Sequence, residues 1–123
     1  MKICVTAQGD NLDSQVDPRF GRCPYFIIAD TESLEFEAIE NPSVTAMGGA
    51  GVQAGQLVAG KNVKAVLTGN VGPNAFQTLQ AAGVEVIAGV SGSVKESIEK
   101  YKKGGLKSTD NPSVGRKFGT GQQ

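Results

Sequence analysis

The chain has 123 residues, 39% of them hydrophobic, which supplies the core of one domain and too little for two ordinary ones. Basic and acidic side chains number 12 each, so no global field draws the molecule to nucleic acid or a membrane surface, and any anion site must be local. No histidine is present, which excludes Cys/His zinc sites and histidine-based acid–base catalysis.

Lys2–Ala7 is apolar on both faces and predicts a central strand. It follows Met1 directly, with no signal-peptide pattern, and no apolar run approaches a membrane span. Gln8–Pro18 is polar and reads as a loop. Tyr25–Asp30 predicts a second strand and Leu34–Ile39 a third, whose alternation of Leu34, Phe36 and Ala38 with Glu35 and Glu37 suits one dry and one wet face. The two should form an antiparallel hairpin, with the third strand at an edge protected by its glutamates. Asn41–Pro42 ends that strand, and Ser43–Gly49 is a loop of small residues.

A helix is expected over Ala50–Gly60, with Ala50, Ala54, Leu57 and Val58 on one face. Val63–Thr68 follows as a buried strand, then a Gly69–Gly72 loop into Pro73, the natural first residue of a helix carrying Phe76, Leu79 and Ala82 inward to a Gly83 cap. Val84–Ala88 is the fifth strand. Ser93 and Glu96 have capping-box spacing, opening a helix with Val94, Ile98 and Tyr101 on one face and a stop at Gly104. The order β-β-β-α-β-α-β-α predicts an α/β domain over residues 1–104. Its mixed sheet should have two right-handed parallel crossovers beside the first strand and helices on both faces. Residues 105–123 are rich in Gly, Ser and Lys and read as a flexible basic tail.

Arg19–Phe20–Gly21–Arg22–Cys23 places two guanidinium groups and a thiol within five residues at the entrance to the second strand. Arginine keeps its charge and presents a planar fork of donors, so the pair suits a fixed anion, and a thiol is a soft-metal ligand. The alternative is a solvated loop with a packing cysteine. Cys23 is the better ligand candidate because flanking arginines should lower its pKa; Cys4, on the central strand, reads as an inert buried thiol. Neither cysteine belongs to a C-x-x-C pair, and two cysteines make no disulfide framework, which suits a reducing cytoplasm.

Ligands of open α/β sheets favour the crevice outside the carboxyl ends of the parallel strands. Three glycine-bearing loops should converge there: Thr6–Asp10, Gly48–Gly51 and Gly69–Pro73. With Arg19 and Arg22 they could cradle a multiply charged anion on backbone amides and helix N-termini. Gly49–Ala54 matches G-x-G-x-x-A, but it follows an edge strand and a long loop, so a dinucleotide reading is set aside. The aspartates Asp10, Asp13, Asp17 and Asp30 do not converge as two-metal hydrolysis needs. The chain is not read as an enzyme.

Taken in order, Arg19–Phe26 (RFGRCPYF), Glu40–Asn41–Pro42, Gly48–Gly49–Ala50–Gly51 and Gly72–Pro73–Asn74–Ala75 resemble the dinitrogenase iron–molybdenum cofactor biosynthesis family over about residues 1–104. That resemblance implies a ribonuclease H-like fold of five mixed strands. It also implies non-catalytic binding or carriage of an anionic metal–sulfur cluster: an iron–molybdenum cofactor, its precursor or a molybdenum–copper sulfide. The positions it carries over are Arg19, Phe20, Gly21, Arg22, Gly49, Gly51, Gly72, Pro73 and Asn74; Cys23 joins them as the candidate metal ligand. Relatives often have Ala at the Cys23 position, and several carry histidines that this chain lacks, so capture by histidine is ruled out here. Expected partners are the cluster and a donor or acceptor protein, with no nucleic acid and no membrane. Two other functions are compatible with the same loops. One is a protein-interaction module docking through the basic tail (Lys102, Lys103, Lys107, Arg116, Lys117). The other is a small phosphate- or nucleotide-binding protein.

Overall fold

A computed structural model describes residues 1–43 and 49–109. Its elements are β1 (Lys2–Ala7), β2 (Tyr25–Asp30), β3 (Phe36–Glu40), α1 (Ala50–Ala59), β4 (Ala65–Leu67), α2 (Pro73–Ala81), β5 (Glu85–Ile87) and α3 (Val94–Lys102). The sheet order is β3-β2-β1-β4-β5. Both neighbours of β2 pair with it antiparallel, whereas β1, β4 and β5 run parallel. The expected α/β architecture, element order and hairpin are therefore what the chain adopts.

The pleat divides the core into two layers, because successive side chains of a strand point to opposite faces. Cys4, Phe26, Ile28, Val66 and Val86 face α1 and α2, where Ala54, Val58, Phe76 and Leu79 complete the packing. Ile3, Val5, Ile27, Leu67 and Ile87 face the other way, against Val94 and Ile98 of α3. All of β1 beyond Lys2 is buried, as a central strand buried on both faces requires.

The third strand differs from expectation. It begins at Phe36, not Leu34, because Leu34 adopts a left-handed φ of 63° and closes the hairpin turn, its N–H donating to the Asp30 carbonyl at 2.9 Å. The Asp30 carboxylate holds that turn by accepting from the N–H groups of Glu32 and Ser33, and these bonds lower its pKa. The face read as dry is not covered. Phe36 is 41% exposed and Ala38 is exposed, while Ile39, on the opposite face, packs against the core. One helix lies on that side of the sheet, and its contacts centre on β1, leaving the β3 edge beyond its reach.

The chain beyond Gly104 also departs from the expected tail. Leu106 packs against the α3-side core, Thr109 N–H donates to the Val86 carbonyl at 2.6 Å, and Ala88 N–H donates to Thr109 Oγ1 at 3.0 Å. Ser108 bonds Glu85. Residues 106–109 thus run along the open edge of β5 and satisfy groups that an edge strand would otherwise present to another chain. The remainder of the tail, with Arg116 and Lys117, lies outside the described residues, as does Gly48. Among the described residues no helix is long and apolar enough to cross a membrane.

Candidate functional site: a loop cluster at the carboxyl end of the sheet

Strand register places one loop cluster at a single edge of the sheet. Ala7, the last residue of β1, pairs with Tyr25, the first of β2, which pairs with Glu40, the last of β3. With β4 and β5 parallel to β1, the segments after β1, β3, β4 and β5 all emerge there. That is the edge where open sheets hold ligands.

The Arg19–Cys23 segment is anchored from below. Phe20 is 1% exposed and its ring stacks at a tilt on Phe26, with centroids 5.7 Å apart. Burying a ring of that size is worth about 2–3 kcal/mol, with about 1 kcal/mol more from the aromatic pair. Phe20 is therefore a pin that plants the loop in the core. Asn41 ties the loop from the side: Nδ2 donates to the carbonyls of Gly21 (3.1 Å) and Cys23 (2.9 Å), while Oδ1 accepts from Ser43 N–H. Ser43 Oγ in turn donates to Gln53 Oε1 in the first turn of α1 at 2.7 Å. Asn41 was legible as part of the Glu40–Pro42 motif, but its work as a cross-brace needed the fold.

Backbone contact then draws the other loops in. A Cβ on Gly21 would lie 3.1 Å from Gly51 N and 3.2 Å from Gly51 Cα; one on Gly51 would lie 3.3 Å from Ala75 Cβ. The loop, the first turn of α1 and the first turn of α2 are stacked at van der Waals distance, and glycine is what permits it. One turn further, Gly55 lies against Thr78 in the same way, so the two helices run side by side. From the other flank, Asn70 N–H donates to the Pro18 carbonyl (2.7 Å) and Phe20 N–H to the Asn70 carbonyl (3.1 Å). That clamps the β4–α2 loop to the arginine loop.

Two of the three expected loops therefore meet the arginine segment. The third does not. The chain after β1 turns towards α3, where Gln8 N–H bonds Gln15, and the carbonyls of Ser14 and Leu12 accept from Val94 and Lys95 N–H. Those contacts, with the Ser93–Glu96 capping box, occupy the amino end of α3. Helices α1 and α2 are built oppositely. Each starts at a glycine, Gly49 or Gly72, with no side-chain cap. Their first intrahelical bonds are made by Gln53 and Phe76 N–H, so Ala50, Gly51, Val52, Asn74 and Ala75 N–H have no intrahelical acceptor. Gly49, Pro73 and Asn74 are exposed, while Gly51 and Gly72 are half-buried. Two adjacent helix N-termini thus aim partial positive charge at one edge.

The arginines behave differently from a simple cationic pair. Arg19 is 62% exposed, and Asp17, 2% exposed, accepts from its backbone N–H at 2.8 Å, Nε at 3.3 Å and Nη2 at 3.4 Å. Asp17 engages two of the five guanidinium donors and offsets part of the charge. Arg22 is half-buried. In sequence Asp17 is only one aspartate of a polar loop, and nothing there marks it as a site residue.

Cys23 requires a correction. It is fully buried in the α1/α2-side core, its Sγ–H donates to the Phe20 carbonyl at 3.3 Å, and its pKa is pushed up to about 12. Burial is the main cause, the Asp17 carboxylate adds to it, and the lowering by Arg19 is the smallest contribution. A thiolate is therefore disfavoured, opposite to the expectation from flanking arginines. Cys4 is likewise free, buried and raised, as read. Among the described residues no three acidic, cysteine or histidine side chains gather as a metal site.

This loop edge thus offers N–H donors and the exposed Arg19 guanidinium, and among the described residues no group of three acidic, cysteine or histidine side chains gathers there. A family model described as dinitrogenase iron-molybdenum cofactor matches residues 1–104. The chain belongs to the dinitrogenase iron–molybdenum cofactor family. Solved relatives share the fold. The apo form of the orange protein from Desulfovibrio gigas is 37% identical, with a TM-score of 0.89 over 92% of this chain and 96% of that one. A Thermotoga protein solved by NMR is 40% identical, with a TM-score of 0.75 over 87% of this chain and 91% of its own. An uncharacterized protein of Methanocaldococcus jannaschii is 32% identical across 86% of this chain and 89% of its length. This member of the dinitrogenase iron–molybdenum cofactor family places its arginine loop, α1 and α2 at one edge of the sheet.

Proposed function

We propose that this chain is a non-catalytic binder or carrier of an anionic metal–sulfur cluster, such as an iron–molybdenum cofactor, a precursor of it, or a molybdenum–copper sulfide. The carrying observation is the pair of uncapped helix N-termini stacked against the arginine loop at the carboxyl edge of the sheet. Sulfide-rich clusters present acceptor surfaces with delocalised negative charge, and amide N–H groups on a rigid frame satisfy them without entering the metal's coordination shell. The donor set of this crevice suits that cargo better than it suits a naked cation.

In this reading the rim comprises Arg19, Arg22, Gly49, Gly51, Gly72, Pro73 and Asn74. Phe20 and Gly21 set its shape, and Cys23 packs beneath it as a protonated thiol. One guanidinium about 5 Å from a unit negative charge contributes about 3 kcal/mol at an effective dielectric near 20, before the offset by Asp17. Retention of a multivalent cluster then rests on the amides at least as much as on arginine. The folded unit includes residues 106–109 along the β5 edge, the two reduced thiols suit the cytoplasm, and a donor or acceptor protein completes the cycle of loading and release.

The test is reconstitution of the full chain with tetrathiomolybdate and copper, followed by gel filtration and metal analysis. The expected result is a coloured protein retaining molybdenum, with retention cut several-fold in Arg19→Ala and unchanged in Cys23→Ala. A colourless, metal-free protein overturns the reading.

A further inference from the structure

The Asp17–Arg19 pair has a form that simple anion binding does not require. A carboxylate beside an anion site weakens it, yet this one is buried, at 2% exposure, directly behind the exposed guanidinium of the rim. It is also built in from several sides. Its own N–H donates to the Thr6 carbonyl at 2.9 Å. Its carbonyl accepts from Thr6 Oγ1 at 2.8 Å, and that hydroxyl lies 2.8 Å from Thr68 Oγ1, just beyond β4. The carboxylate takes three N–H contacts from one residue, Arg19, including the backbone N–H at 2.8 Å. The side chain cannot leave without unpairing a buried acceptor, so the carboxylate is a fixture of the rim.

We infer that Asp17 is a positioning residue that fixes the Arg19 guanidinium in one orientation and holds down the resting charge of the rim, so that small oxyanions are not retained. The inference rests on the crevice reading above. Two donors of Arg19 face Asp17, and a ligand meets only the remaining ones. A small, strongly hydrated dianion has to compete with a carboxylate already in place. A larger thioanion spread across the amides of α1 and α2 depends on that one cation less. Asp17 therefore acts through Arg19 as a filter on what the crevice keeps.

The experiment measures affinity for inorganic molybdate by calorimetric titration of the full chain in four forms: wild type, Asp17→Asn, Arg19→Ala and the double variant. Asp17→Asn keeps a carbonyl acceptor for the Arg19 backbone N–H while removing the charge. It is expected to tighten molybdate binding by about two- to fivefold, the equivalent of one partly exposed ion pair released. In the Arg19→Ala background the same substitution is expected to change nothing. No gain, a loss, or an equal gain in both backgrounds overturns the inference, because a purely structural or bulk-charge role does not depend on Arg19. A second measurement needs no variant. In the wild-type protein the Arg19 Nε–H resonance, held by Asp17, is expected to resist exchange with water. Exchange as fast as that of free arginine overturns it too. Tetrathiomolybdate retention by the wild type is scored separately, so failure of the carrier reading is distinguishable from failure of the Asp17 filter.

Discussion

Gly21→Ala is the most direct probe of how the crevice is held together. The glycine needs no left-handed backbone, so alanine is conformationally admissible and would even lower the entropy of the unfolded chain, worth about 0.4–1 kcal/mol of stability. Against that stands geometry. The new methyl would sit 3.1 Å from Gly51 N, 3.2 Å from Gly51 Cα and 3.4 Å from the Ala50 carbonyl carbon, all backbone atoms of the first turn of α1. None of these can rotate away, so the helix end or the loop must move. Overpacking of this kind costs about 1–3 kcal/mol, which wins over the entropic gain. We expect a net loss of about 1–2 kcal/mol in urea unfolding, read as a change in midpoint at constant slope. Gly60→Ala is the matched control. That glycine lies in right-handed helical geometry (φ −68°, ψ −10°) at the end of α1, where a methyl would make ordinary contacts of 3.5 Å. Its substitution should be neutral or stabilising. Equal stability of the Gly21→Ala and Gly60→Ala proteins would refute the stacked-loop argument.

Two further expectations concern the thiols and the chain end. Because Cys23 is held near pKa 12 against an ordinary 9.0, it binds its proton more tightly when folded, so its stabilisation is complete below pH 9. That contribution is lost as pH rises towards 12, at about 1.4 kcal/mol per unit, and Cys23→Ala should flatten the decline in a urea series; an unaltered slope contradicts the assignment. Within the native range both thiols should resist alkylation until the protein unfolds. Truncation after Gly104 exposes the β5 edge and strips Leu106, both of which truncation after Thr109 leaves in place. The shorter form should melt lower by several degrees, for a loss of about 1–2 kcal/mol. Identical melting of the two truncations would show that residues 105–109 carry no stability.

Strand and helix periodicity was legible where burial follows it. β1 is apolar on both faces because two helix layers enclose it, and the Ser93–Glu96 box forms as spaced because its geometry is local. What failed was information stored between distant segments. Leu34 looks like an inward strand residue, yet it turns the hairpin with a left-handed backbone because Asp30 organises the preceding residues. Cys23 follows two arginines closely in sequence, but burial outweighs the neighbouring charge of Arg19, which points to solvent. Gly21, Gly51 and Gly55 read as loop or helix glycines, and only the approach of the arginine loop to α1, and of α1 to α2, reveals why a side chain is crowded there. Asp17 carried no signal beyond being an aspartate two residues before Arg19. Sequence spacing pointed to glycine loops that the fold stacks on the arginine segment; the Asp17–Arg19 pairing beside them emerged only from the fold.

The central claim is that helix-end amides and Arg19 grip an anionic metal–sulfur guest without a protein ligand to the metal. Molybdenum and sulfur quantified per chain after anaerobic reconstitution and gel filtration test it most directly, comparing the wild type with Arg19→Ala and Cys23→Ala. The account predicts co-eluting metal and sulfide in the wild type, undiminished without the thiol and several-fold lower without the guanidinium. Metal lost with Cys23→Ala but kept with Arg19→Ala would contradict it.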